Sequence, residues 1–305
     1  MDDSADIREN QLDESSQPSY IVKAVFPLRG KPRGEIMSNK LIIAVAVALV
    51  VVVAAVGVYF VFGNDKATND VTFLIQDNEG VYFWLEGNGE TVEDALVDAF
   101  ERYPSGTVTF SNSGGVKLFD IGTVNNGDGT YTYWIQFTWK DNKWTYNQLS
   151  MRNIKSVDVE HILVLHGTTV SMEAAIAPEG TPTPADAVIW NGSTAGTVFT
   201  VASASGLYFK INGNSNESLI KAFNAACAKY KVPLVNTESE AYGQGVDTLF
   251  GFGWDEGSGL YWAQYEEDNG AWTSASEGMA SLKCGDYPIY LVCYSLYGAT
   301  PDIPV

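Results

Sequence analysis

The sequence predicts an α+β protein in which an N-terminal transmembrane helix precedes two tandem domains, each a β-hairpin, one crossing helix and further strands. Three observations predict it. Residues 41–62 are 22 consecutive apolar residues without a charge or a proline. Residues 91–103 carry an amphipathic helical stripe directly after a hairpin pattern. The chain then repeats that order of elements, and most matches keep one offset of 128 residues.

Residues 1–40 are polar at first, and the apolar run Tyr20–Phe26 is too short to build a core, so they are expected to be a disordered cytoplasmic tail. Met37 is an alternative start, because Met37-Ser38-Asn39-Lys40 ahead of an apolar run has the shape of an exported leader. As a helix, residues 41–62 would span about 33 Å, against a hydrocarbon core of about 30 Å. Arg29, Lys31, Arg33 and Lys40 precede this run, and the positive-inside rule then keeps the N-terminus in the cytoplasm. The expected location is the cell membrane, as a single-pass signal anchor with the C-terminal domains extracellular.

Charge narrows the partners of the remainder. The chain has a net charge of −19, and beyond residue 63 there are 12 basic against 30 acidic residues. Such a field repels phosphate backbones, so nucleic acid is excluded as a partner.

In the first repeat, residues 68–170, Val71–Ile75 and Val81–Leu85 flank the turn Asp77-Asn78-Glu79-Gly80 and read as a hairpin. Val92, Ala95, Leu96, Ala99, Phe100 and Tyr103 then fall on one helical face, with Glu93, Asp94, Asp98 and Glu101 opposite. Thr91 starts this helix and Pro104 follows it. Strands are expected around 130–139 and 160–166, with Gly- and Asn-rich loops between. The second repeat, 196–298, returns Gly80-Val81-Tyr82-Phe83 as Gly206-Leu207-Tyr208-Phe209, Tyr133-Trp134 as Tyr261-Trp262, and Trp144-Thr145 as Trp272-Thr273. A run of matches in one register indicates duplication. A Pro/Thr-rich linker, 171–195, separates the repeats, and 299–305 form a C-terminal tail.

With Gly89-Glu90-Thr91-Val92-Glu93-Asp94-Ala95-Leu96, the Tyr-Trp pairs and Cys284-Gly285-Asp286, this order resembles the β-grasp domains at the C-terminus of transcobalamin-like proteins. The resemblance implies two β-grasp-like domains, with corrinoid capture for a transporter as one function.

Catalytic and metal signatures are sparse. His161 and His166 are an odd number of residues apart on one strand and point to opposite faces, so they cannot share a metal from it. Asp255-Glu256 and Glu266-Glu267-Asp268 lie beside glycines and read as solvated loop charge; Asn125–Gly129 reads as a turn ahead of a calcium loop. No cofactor and no metal are expected. Cys227 and Cys293 read as buried free thiols, with a disulfide between them as the alternative. Asn191 and Asn216 open glycosylation sequons.

Strand parity places Tyr131, Tyr133, Ile135, Phe137 and Trp139 on one face, expected to lie under the helix. Trp134 and Gln136, with Trp262 and Gln264 in the second copy, take the other. An aromatic plate beside an amide suits sugars, flat ligands or a protein partner; the competing reading is that the Trp covers the open side of the sheet or packs on the neighbouring repeat. The expected function is therefore binding and not catalysis: an adhesin-like or envelope protein contacting a glycan or surface protein, with a small-molecule capture protein as the alternative.

Overall fold

The computed structural model describes residues 68–103, 106–111, 115–169, 175–239, 243–296 and 298–305. In the first repeat these form β1 (Asn69–Gln76), β2 (Tyr82–Gly89), α1 (Val92–Arg102), β3 (Val108–Phe110), β4 (Val116–Leu118), β5 (Val124–Asn125), β6 (Tyr131–Lys140), β7 (Lys143–Tyr146) and β8 (His161–Thr169). In the second they form β9 (Thr197–Ala202), β10 (Tyr208–Gly213), α2 (Leu219–Lys229), β11 (Leu234–Ser239), β12 (Gly243–Leu249), β13 (Leu260–Asp268), β14 (Ala271–Ser274) and β15 (Ile289–Leu296).

The expectation of an α+β fold with an N-terminal transmembrane helix is corrected. The described fold is mostly β, fifteen strands against two α-helices of 11 residues each. The segments read as Gly- and Asn-rich loops contain seven further strands: β3 with β4 and β11 with β12 pair locally as two-stranded ribbons built on short runs such as Val108–Phe110, while β5 and β7 add to β6 and β14 adds to β13. Each helix is about 16 Å long. No helix among the described residues is long and apolar enough to cross a membrane, so the described fold supports neither a transmembrane helix nor a signal anchor. Residues 41–62, which carried that expectation, lie outside the described residues, as do those of the tail 1–40.

The helix α1 starts where the sequence places it. Thr91 accepts the amide of Asp94 at 3.2 Å while the Asp94 carboxylate accepts the Thr91 amide at 3.1 Å, a reciprocal cap that satisfies two otherwise orphaned donors. Its stripe of Val92, Ala95, Leu96, Ala99 and Phe100 is buried. The helix lies so close to β2 that a Cβ on Gly87 would fall 2.0 Å from the Ala95 carbonyl oxygen. Gly213 stands in the same relation to Ala222 in the second repeat, also at 2.0 Å. Only glycine allows this approach of helix to strand.

Both main sheets have the same plan. The first runs β2-β1-β8-β6-β5, with β7 also on β6; the second runs β10-β9-β15-β13-β14. In each, the first and last strands of the repeat pair in parallel, β1 with β8 and β9 with β15, and the other pairs are antiparallel. The helix-side cores of the two repeats are continuous, and both repeats belong to one compact unit.

The outer face of each sheet has its own apolar cluster, and each is covered by the segment that ends the repeat. Ala175, Ala177, Ala187 and Ile189 of the Pro/Thr-rich linker pack on the first, and Ile303 of the C-terminal tail packs on the second. Equivalent tryptophans pin the two segments. Trp144 Nε1 donates to the Pro182 carbonyl and Trp272 Nε1 to the Ile303 carbonyl, each at 2.8 Å.

Candidate functional site

Strand β6 sets up the site. Its pattern of Tyr131 to Trp139 does divide by parity, but both faces are covered and the assignment of faces is reversed. Trp134 lies in the cluster that contains Val92, Ala95 and Leu96 of α1, whereas Ile135 and Phe137, with Tyr133 beside them, lie in the outer cluster under the linker. The same holds for Trp262 against Tyr261, Ala263 and Tyr265. Trp134 is 7% exposed and Trp262 4%. Trp134 Nε1 donates to the Ile121 carbonyl and Trp262 Nε1 to the Phe252 carbonyl, both at 2.8 Å. With the N–H engaged and the ring covered, neither indole is an open plate, and both are core residues.

The two glutamines fasten loops. Gln136 Nε2 donates to the carbonyls of Leu149 and, at 3.4 Å, of Asn147. Gln264 turns its other end to the same task, its Oε1 accepting the Met279 amide at 3.1 Å and the Tyr290 hydroxyl at 3.4 Å.

A recess nevertheless opens at Trp134 and Gln136. β5 pairs with β6 only at Tyr131 and Thr132, and β7 pairs with it only from Phe137 onward. The edge at 133–135 has no strand partner among the described residues, and a groove of about 650 Å³ opens there. Trp134 and Gln136 line it with Tyr131, Tyr133 and Tyr146, and the segment 147–151 closes one side. Hydroxyls come from Ser111, Thr123, Ser150 and Thr169, and amides from Asn147 and Gln148. None of the sixteen lining residues is charged, although the chain carries −19. Burial raises the Tyr133 phenol, and its hydroxyl, like that of Ser150, has no partner among the described residues.

The groove thus offers aromatic rings, amides and hydroxyls, and no titratable acid–base pair. Asp255 is fully exposed, and hydrogen bonds from Ser258 and Gly257 lower its pKa. Asp128 is likewise lowered, by the Thr130 hydroxyl and amide, while Asn125 accepts the Gly127 amide, so these oxygens serve their own turn. No cluster of three His, Cys, Asp or Glu that could hold a metal occurs among the described residues.

The histidines are structural. Burial lowers the pKa of both; His166 Nε2 lies 3.4 Å from the Gly122 carbonyl, with its ring 4.8 Å from Trp134. Tyr294 takes that place in the second repeat, donating to the Gly253 carbonyl at 2.8 Å with its ring 5.1 Å from Trp262.

All three cysteines are free and buried. The bridge between Cys227 and Cys293 is corrected, because Cys227 lies in the helix-side core and Cys293 in the outer-face cluster, on opposite sides of the second sheet. Burial raises both thiols, that of Cys293 to about 11. Asn191 and Asn216 are exposed, where the sequons could be used.

Tyr131, Tyr146, Asn147 and Gln148 were not among the sequence-predicted site residues. The available signal was divergence: Tyr146-Asn147-Gln148 corresponds to Ser274-Ala275-Ser276 in a stretch where Trp144-Thr145 and Met151 are retained. Comparison with protein-family models and with curated proteins gives no match for this chain.

Proposed function

We propose that the protein is a non-catalytic binding protein of the cell surface whose first repeat takes a neutral glycan in the groove beside β6. The observation that carries this reading is the lining: three tyrosines, three side-chain amides and several hydroxyls without one charged side chain. Tyrosine faces stack on the C–H faces of pyranose rings, and amides and hydroxyls match sugar hydroxyls as both donors and acceptors. A volume of about 650 Å³ is of ligand-site size. The acidic surface disfavours uronic or sulfated sugars over neutral ones.

The test is an array of neutral and acidic oligosaccharides probed with the full chain, with Tyr131→Ala beside wild type. Tyr131 is 45% exposed, so its removal spares the core. Binding to neutral sugars that falls at least about tenfold in Tyr131→Ala is the expected result, about 1.4 kcal/mol. Failure to bind any neutral sugar, or preferential binding of cyanocobalamin, would overturn the reading.

A further inference from the structure

The duplication can be followed into the loop before the Trp strand. Because Trp134 and Trp262 donate to Ile121 and Phe252 in the same way, those two residues are equivalent. Gly122 and Gly253 come next, each receiving the side chain of an equivalent residue, His166 or Tyr294. The following pair is Thr123 and Trp254. Thr123 lines the groove of the first repeat. Trp254, in its place, is 64% exposed, with its ring 6.1 Å from that of Tyr261, the counterpart of the groove residue Tyr133.

We propose that Trp254 and Tyr261 form a second sugar-binding site, an open platform for a neutral glycan, so that one chain carries two glycan sites at equivalent positions. The proposal rests on the glycan reading of the first groove.

Three features support a platform. First, Trp254 is held by a rigid base: the Asp255 amide donates to the Leu260 carbonyl at 2.9 Å, and the Gly259 amide to the Asp255 carbonyl at 2.7 Å. With the adjoining backbone tied in this way, less entropy is lost when a ligand settles on the ring. Second, the groove walls are missing in this repeat, since Tyr146 and Asn147 are replaced by Ser274 and Ala275. The aromatic pair is therefore open, suited to stacking along a sugar chain without enclosing its end. Third, the exposed carboxylate of Glu256 can accept from the hydroxyl donors of a neutral sugar, and together with Asp255 it repels an anionic one.

The experiment is calorimetric titration of the full chain with maltohexaose, cellohexaose and laminarihexaose, using wild type, Trp254→Ala, Trp254→Phe and Tyr131→Ala. The expected result is two equivalents bound by wild type, one by Trp254→Ala and one by Tyr131→Ala, with Trp254→Phe retaining two. Trp254 is exposed, and circular dichroism that matches wild type verifies the fold of each variant. One equivalent in wild type that Trp254→Ala leaves unchanged and Tyr131→Ala abolishes would overturn the platform while leaving the groove intact. No binding of any of the three sugars would overturn both.

Discussion

Phe83 and Phe209 stack on one another, their ring centroids 5.3 Å apart and their planes within 10°. They are the same residue of the repeat, so the stack marks a pseudo-twofold relation between the two halves. The neighbours obey it. Tyr82 meets Phe250 at 5.1 Å, and its counterpart Tyr208 meets Phe119, the counterpart of Phe250, at 5.2 Å. Residue i touching j′ while i′ touches j is the signature of an isologous contact, here within one chain. At the adjoining turns the symmetry is broken. The buried Asp77 carboxylate accepts the Ser205 hydroxyl at 2.8 Å, and Ser205 stands where the first repeat has Glu79. Two copies of the first repeat would instead bring carboxylates together, a repulsion the pairing of unlike halves avoids.

Phe209→Ala should cost about 3–5 kcal/mol of stability, because it removes a buried ring from the continuous core and with it the ring stacked on Phe83. Chemical denaturation measures it. A loss under about 1 kcal/mol would show that the halves do not depend on the stack.

Asp77 links stability to pH. Burial raises its pKa above the ordinary 3.8, outweighing the hydrogen bonds from Ser203, Ser205, Val81 and Glu79 that lower it. A carboxyl whose folded pKa is raised binds its proton more tightly in the folded state, so its stabilising contribution is present below 3.8 and is lost as pH rises through the folded value. Wild type measured against Asp77→Asn should therefore lose relative stability as pH rises from 3.8, then level off. Glu79, raised by burial and by Asp77, shifts in the same direction, and comparison with Glu79→Gln separates the two. A relative stability that rises over this range would contradict the buried placement of Asp77.

Trp134→Ala and Trp262→Ala should each cost about 3–5 kcal/mol, since both are covered rings with engaged N–H groups. Tyr131→Ala, on an exposed residue, should stay within about 0.5 kcal/mol of wild type. Urea titrations of the three variants distinguish core from surface.

Thiol titration should find three free thiols that react slowly in the native protein and promptly once it is unfolded. Burial suppresses the thiolate of Cys293, with its pKa at about 11, and raises that of Cys227 as well. Fewer than three reactive thiols after unfolding without reductant would reveal a disulfide that the fold does not accommodate.

By itself, the sequence determined what local pattern can encode. Thr91 and Asp94 announce the helix start, Val92 to Phe100 its buried stripe, and the 128-residue offset identifies Trp134 with Trp262 and Trp144 with Trp272. These features depend on neighbours a few residues away, or on likeness between two stretches of one chain. Tertiary structure alone decided which face of β6 goes inward. Alternation divides Tyr133 from Trp134, but both faces find cover, one from the helix and one from the linker, so hydrophobicity could not rank them. It also decided the stack of Phe83 on Phe209 and the separation of Cys227 from Cys293 by the thickness of a sheet. The groove likewise arises where two short strands leave the edge of β6 unpaired, a consequence of long-range pairing that no single stretch of residues specifies.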